Sequence, residues 1–466
     1  MRRRRSSRSA LLAGLASVIL LAGSTGVVSA RTSAGEPVDA TGLGVAAPIA
    51  PLSSPCGPGQ AWIVGSRGGT TCLDADGWTT FGGGSDEFPG GRVQDAAVCA
   101  DGTTWLATTS GLVSTDGTTW QRHEMPTYAS LSAVACDATA GVWLAAYKGV
   151  HRFDGQTFST YPASKLGTGK FVDLVKDVAV APDGHVWVAT ANSVATFDGT
   201  RWRFFEKSKG FKVAYSFEKI AVDAHGRVWV TAGSAGLLMY DGTRWTVVSK
   251  PSLSTGRALA IDKRGRVWVG TYGGVSVYNG RSWVAYTHAN SKLPTDSVGS
   301  LATDARGRIW IGTEWGLAIL DGTKWTVYHM ADSGIPDDEI DAIAVAARGP
   351  GLPAAVAKAP GTLTGRIVRG TTPQAGMRME ICSGYLITLY FGSTPCSSKP
   401  FVKATKTDTG GGFTFKVPVG WYSITFLPPG GKWTMLSSSL GLGSAQQLVK
   451  PGETTDIGTL DLTSGD

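Results

Sequence analysis

Histidine is scarce in this 466-residue chain: the six copies (His123, His151, His185, His225, His288 and His329) are scattered and none has a partner at metal-ligand spacing. That scarcity weakens a transition-metal centre or a histidine-driven general base. The short catalytic phrases are missing too, with no G-x-S-x-G, no H-E-x-x-H and no phosphate loop. Gly167-Thr168-Gly169-Lys170 lacks both the leading glycine and the hydroxyl residue after lysine that a phosphate loop uses. The only long apolar run, from Ala10 to about Gly23, is too short to cross a bilayer comfortably. Flanked by a basic start and by Val28-Ser29-Ala30, it reads as a secretory signal over residues 1–30, followed by a flexible linker over 31–53. The arginine cluster leaves the export route open.

Excess charge is also lacking once that leader is set aside. Five of the 43 basic residues lie in the first eight positions, so the formal charge of +7 shrinks to +2 for the remainder. A nucleic-acid partner therefore has no electrostatic support. Cysteines number six, an even count that suits pairing in an oxidising compartment. Cys382 and Cys396 stand apart and are expected to bridge each other. Cys56, Cys72, Cys99 and Cys136 allow three connectivities, of which Cys99–Cys136 with Cys56–Cys72 is the preferred one. Cys99 and Cys136 fall near equivalent ends of successive strand repeats, where a staple between neighbours is feasible.

What the chain has in quantity is glycine, 63 residues, and a repeat. A tryptophan in an apolar strand-like run recurs at 62, 105, 143, 187, 229, 268 and 310, with spacings of 43, 38, 44, 42, 39 and 42. Each is followed 15 or 16 residues later by an aromatic closing a D-G-x-x-W-like turn, at Trp78, Trp120, Phe158, Trp202, Trp245, Trp283 and Trp325. The unit from Ser300 to Met330 divides into four short strands, Ser300–Thr303, Arg308–Gly312, Leu317–Leu320 and Trp325–Tyr328, separated by Asp- and Gly-containing turns. Such a sheet cannot cover both faces alone, so the copies stack radially. The predicted fold is all-β, a seven-bladed β-propeller over residues 54–348. Ala342–Ala347 looks like a first strand with no tryptophan after it, and the stretch before Trp62 lacks one, so the last strand is expected to complete the first blade.

The phrases G-R-[IV]-W-[IV]-G-T-x-x-G-[LV] and D-G-x-x-W, with Leu293-Pro294-Thr295-Asp296-Ser297-Val298 and Ile335-Pro336-Asp337-Asp338-Glu339-Ile340 between units, resemble the two-component regulator propeller repeat. The resemblance implies a sensor-like or binding role. Residues 349–361, rich in Pro, Gly and Ala, read as a semi-rigid linker. Residues 362–466 then alternate in short strands and predict a small β-sandwich. Their phrases T-D-x-x-G-x-F-x-F-x-V-P-x-G-x-Y and Gly452-Glu453-Thr454-Thr455-Asp456-Ile457-Gly458 are similar to a carboxypeptidase-regulatory-like, transthyretin-type domain.

Two acidic phrases read as turns rather than sites. Ser114-Thr115-Asp116-Gly117-Thr118-Thr119-Trp120 resembles a contracted sialidase Asp-box, itself a turn device, and Leu73-Asp74-Ala75-Asp76-Gly77 lacks the further ligands of a calcium loop. Geometry points instead to the face formed by the loops between second and third strands and by the loops leading into each blade. Arg67, Tyr147, Lys148, Asn192, Tyr272, Glu314 and Trp315 fall there, with Asp296 and Asp338 on the blade-leading loops. The expectation is an exported, monomeric, non-catalytic recognition module without cofactor, binding a glycan, peptide or protein of the cell envelope. The alternatives are a propeller lyase or hydrolase resembling streptogramin lyases, and a structural envelope protein.

Overall fold

A computed structural model describes residues 56–462 apart from 58, 68, 82–89, 127–129, 138, 140, 168–173, 206–215, 249–255, 384–385, 387–393, 398 and 437–444. The leader, the linker over 31–53 and the Gly167 to Lys170 phrase beyond Gly167 lie outside these residues.

Seven four-stranded antiparallel sheets follow one another along the chain. Six are made of consecutive strands, and blade one is made from both ends of the repeat region. Its inner strand is Ile340–Val345, paired antiparallel with Ala61–Gly65 so that Ala61 faces Val345 and Ile63 faces Ile343. The closure expected from the orphan strand is therefore present. Blade seven uses Val298–Thr303, Ile309–Thr313, Gly316–Asp321 and Lys324–Tyr328, within two residues of the boundaries predicted for that unit.

Each second strand is buried along its whole length, because one side chain row faces each neighbouring blade. The apolar clusters accordingly lie between blades, including one that joins Trp310, Leu317 and Tyr328 of blade seven to Ile63, Leu73 and Ile343 of blade one. The two landmark aromatics of the repeat meet there. Trp62 packs edge-on to Trp120 of the next blade at 5.6 Å, and Trp143 and Trp187 meet Trp202 and Trp245 at 6.4 Å. Truncating a fully buried tryptophan such as Trp62 to alanine removes about 3–5 kcal/mol by transfer and cavity terms together.

The repeated Asp-x-x-Gly-Arg-[Val/Ile]-Trp phrase has a definite geometry. In blades five, six and seven the aspartate at the end of the inner strand accepts from the Arg Nε and the Trp Nε1. The distances are 2.7 and 3.1 Å for Asp223, 2.6 and 3.0 Å for Asp262, and 2.6 and 3.2 Å for Asp304. Each guanidinium also lies over its tryptophan ring at 5.1–5.5 Å.

All six cysteines pair, as Cys56–Cys72, Cys99–Cys136 and Cys382–Cys396, with Cα separations of 6.1, 5.6 and 5.7 Å. Cys99–Cys136 joins blades two and three. His123 serves the interior: it bonds Ser114 Oγ at 2.8 Å and packs on Trp105 and Phe153, and burial pushes its pKa down to about 4.

Residues 349–360 are tied to the propeller. Tyr328 Oη donates to Pro353 O at 2.5 Å, and the Val356 and Lys358 amides donate to Asp332 O and Ala331 O at 2.7 Å. The stretch expected as a spacer thus lies along blade seven. Beyond it two sheets face each other. Gly361–Arg369 pairs with Gly412–Val417 and, in parallel, with Thr454–Asp461; Arg378–Ser383 pairs with Val402–Lys406 and Gly420–Leu427. Leu363, Ile367, Phe413 and Phe415 from the first sheet meet Met379, Ile381, Tyr422 and Ile424 from the second in one core.

Candidate functional site

The inner strands carry the centre of the ring, and most of them break register near their start. Bulges fall at Val93/Asp95, Leu131/Ala133, Val175/Asp177, Phe217/Ile220 and Val298/Ser300. A bulge turns an extra polar side chain toward the next blade. Asp95 accepts from the Val134 amide at 3.0 Å and Asp177 from the Ile220 amide at 2.9 Å, while Ser132 donates to Val175 O at 2.8 Å and Ser300 to Ile340 O at 3.2 Å. These bonds fix the blades around the channel with polar rather than apolar contacts.

At this end of the ring lies a cavity of about 530 Å³, with Gln94, Lys176, Glu218, Lys219, Arg257 and Tyr272 in its wall. Its charges are paired: Lys176 with Glu218 at 3.5 Å, Lys219 with Asp177 at 3.7 Å, and Arg257 with Glu314 at 3.4 Å. The Asp177, Asp95 and Glu218 carboxylates hold the Lys219 ammonium charged to higher pH than usual. Burial pushes Asp95 up to about 6 against the pull of Lys219.

The loop residues singled out from the sequence divide into groups. Tyr272 is 61% exposed at the cavity wall, with the Arg257 guanidinium 4.5 Å above its ring. Arg257 also donates toward Ser297 Oγ at 3.3 Å and pairs with Glu314, so it gathers two of the predicted residues. Arg257 itself was missed; the available signal was a cation directly ahead of an inner strand that otherwise reads apolar. Tyr147 is exposed on blade three, with Lys148 over its ring at 5.3 Å and Lys148 held at φ +71° by the tight turn. Asn192 turns back to Thr190 Oγ1.

Arg67 and Trp315 face the sandwich instead. Arg67 forks onto Asp337 at 2.5 Å, donates to Gln446 Oε1 at 2.8 Å and lies 5.4 Å over Trp421. Trp315 stacks on Phe401 at 6.3 Å with an interplanar angle of 21°. Asp338, on the same rim, takes the Met330 amide at 2.7 Å, and burial pushes its carboxyl up to about 7. Asp296 caps the His288 amide at 2.6 Å. Sequence reasoning could not separate the roles of Arg67 and Trp315 because their partners in the sandwich lie 86 residues away for Trp315 and more than 350 for Arg67.

The acidic phrases behave as turns. Asp74 accepts from the Asp76 and Gly57 amides, and Asp116 accepts from the Thr118 and Thr119 amides. Among the described residues, the one cluster of His, Cys, Asp and Glu tight enough to hold a metal ion is Cys56, Cys72 and Asp74, and its two cysteines are bonded to each other. Among those residues no helix is long and apolar enough to cross a membrane.

One family model and several solved structures are similar to parts of the chain. The two component regulator propeller family matches residues 251–273 and 292–315, in blades six and seven. No curated protein sequence matches the chain. Among solved structures, the extracellular domain of the hybrid two component system BT4673 from B. thetaiotaomicron is similar at 17% identity and TM-score 0.48, over 60% of this chain and 38% of that one. The corresponding domain of BT3049 from the same organism is 14% identical over 87% of this chain and 57% of that one, at TM-score 0.46. Virginiamycin B lyase from Staphylococcus aureus is 12% identical over 52% of this chain and 85% of that one, at TM-score 0.45. The chain thus spans little more than a third of the first of these in length. It is a seven-bladed β-propeller, with two-component regulator propeller repeats matched in its sixth and seventh blades.

Proposed function

We propose that the chain is an exported recognition module that binds a polar ligand, a glycan or a peptide of the cell envelope, at the mouth of the central cavity on the loop face. The observation that carries this reading is Tyr272, a large aromatic left 61% exposed beside a polar cavity of about 530 Å³ and steadied from above by Arg257. An exposed ring next to paired acids and bases offers an apolar platform and oriented hydrogen-bond groups together, which suits a ligand with both kinds of surface. Tyr147, Lys148, Asn192 and Glu314 supply the outer contacts in this reading, whereas Arg67 and Trp315 serve to seat the sandwich. Three disulfides among the described residues support an extracytoplasmic setting. The C-terminal sandwich acts as an accessory domain of the carboxypeptidase-regulatory-like kind.

The test is a screen of glycans and envelope peptides against the purified protein, followed by titration of Tyr272→Ala and Arg257→Ala with and without a chelator. Weakening of about tenfold in each variant, insensitive to chelator, is the expected result, since stacking contributes about 0.5–1.5 kcal/mol beyond burial. A ligand that binds both variants normally and is released by chelator would place the site elsewhere and make it a metal site.

A further inference from the structure

The opposite face of the ring holds a second feature. There the turn that follows the inner strand is the same in blade after blade, closed by a hydrogen bond from the amide of a left-handed glycine. Gly226, Gly265, Gly307 and Gly349 donate to Asp223, Asp262, Asp304 and Ala346 O at 2.8–2.9 Å, at φ values of +77°, +73°, +88° and +58°. The residue just before each glycine is therefore displayed in the same way on four successive blades. Those residues are His225, Arg264, Arg306 and Arg348. The same turn in blades two and four carries Asp101 and Asp183.

Arg264, Arg306 and Arg348 are exposed, and no carboxylate pairs with any of them among the described residues. Between blades six and seven this arc meets a cleft of about 200 Å³ lined by Lys263, Arg264, Arg266 and Arg306. Its acids are Asp262, already engaged by Arg266 and Trp268, and Asp321. Lys263 reaches across to the Ala305 and Arg306 carbonyls at 3.3 and 3.0 Å, passing over Gly307, where a Cβ would come within 2.8 Å of its stem. Blade six adds Arg281, and from Gly256 to Thr287 its single acid is Asp262. The net of +2 that remains once the leader is set aside thus hides an arc of exposed arginines.

We infer that this arc and cleft form a binding site for an anionic polymer bearing tetrahedral oxyanions, one group seated between blades six and seven and its neighbours along the arc. Guanidinium forks match phosphate or sulfate oxygens in pairs. Cations repeated once per blade suit a chain whose charges also repeat. A concave cleft receives a discrete group from a strand, which a flat bilayer cannot insert. The site is separate from the loop face and does not depend on the ligand proposed there.

The full chain is titrated by calorimetry with short-chain polyphosphate and, in parallel arms, with heparin and with phosphatidylglycerol vesicles, at low and at moderate salt. Wild type is expected to bind at least one of the two, with affinity falling as salt rises. The triple variant R264A/R306A/R348A is expected to bind about tenfold or more weakly without a change in melting temperature, since all three side chains are exposed. R201A/R244A, which removes two cations already paired with Asp198 and Asp241, is expected to bind as wild type. The preferred arm tells a phosphate polymer from a sulfated one. The inference is overturned if neither polymer binds, if the R201A/R244A control loses as much as the triple variant, or if only phosphatidylglycerol vesicles bind.

Discussion

Blades five to seven and blades one to three solve the same mechanical problem with different chemistry. In the later blades an aspartate six residues before the landmark tryptophan locks an arginine and the indole together. In blade two that position is Cys99, whose amide and carbonyl make the same turn bonds, to Thr103 and from Gly102, as Asp262 makes to Arg266 and from Gly265. There the side chain leaves the blade and is bonded to Cys136 of the next. Blade three is intermediate, its Asp137 holding an arginine from a later strand, Arg152, at 2.9 Å. The ring is thus stapled covalently where the repeat is least regular and by arginines paired with buried aspartates where it is most regular. A repeat can lose its consensus contact if a cross-link takes over the same place.

The comparison assumes one continuous ring, and the most drastic way to break it is to remove the closing strand. A chain ending before Ile340 is expected to lose the cooperative unfolding transition altogether, whereas one ending after Pro360 keeps it; equal melting curves would refute closure. Next in size is Asp304→Ala. Arg308 and Asp304 are 3% and 0% exposed, so the substitution leaves a buried guanidinium unpaired, at about 3–5 kcal/mol. Asp223→Ala should cost clearly less, because Arg227 is 38% exposed and can be hydrated. Denaturant midpoints of the two variants check the ranking.

Replacing Cys99 and Cys136 together by serine should cost about 2–4 kcal/mol, comparable to an ionic staple, if the two devices are equivalent. A negligible loss would mean the disulfide is incidental. Acid offers a smaller but sharper contrast. Burial alone would raise the Asp223 and Asp262 carboxyls, but bonds from the Trp Nε1, Arg side chains and turn amides overcome it and hold both below the usual range. Their contribution is present above the unfolded carboxyl pKa and is lost as pH falls through the folded value. Hydrogen exchange in acid should therefore rise in blades five and six, and substitution of Asp223 and Asp262 by Asn should remove that rise. Asp338 runs the other way. Its carboxyl, raised by burial to about 7, favours the protonated form in the folded state. Stability from that site is therefore fully present at low pH and declines as pH climbs toward 7, which Asp338→Asn should abolish.

Much of the ring was legible because its period is carried by large residues, Trp every forty or so positions, and because turn chemistry is local. Closure was legible from one orphan strand, Ala342 to Ala347. The pairing of Cys99 with Cys136 was one of three open connectivities, preferred because the two fall near equivalent strand ends. What stayed hidden depends on contacts between distant segments. Arg67 and Trp315 looked like free loop residues, yet Trp421, Gln446 and Phe401 of the sandwich reach them. Arg257 was passed over because a single cation before a strand carries no pattern by itself. Net charge misled in a similar manner, since a sum over the chain cannot report that Arg264, Arg306 and Arg348 share one face.

The joint in blade one also sets the order of events during folding. Ala61 leaves the ribosome long before Val345, its partner across the sheet, exists. Blades two to seven can assemble from neighbours in sequence, but the first blade must wait with an unpaired edge until the last strand arrives. The entropy of bringing such distant segments together grows only slowly with the length between them, by about 0.6 kcal/mol for each doubling. Joining is therefore a matter of timing rather than of equilibrium, and it makes late, long-range pairing the slow step of the ring. A chain threaded through a membrane in extended form would postpone that step until its final propeller strand had crossed, so that the ring would lock only on the far side.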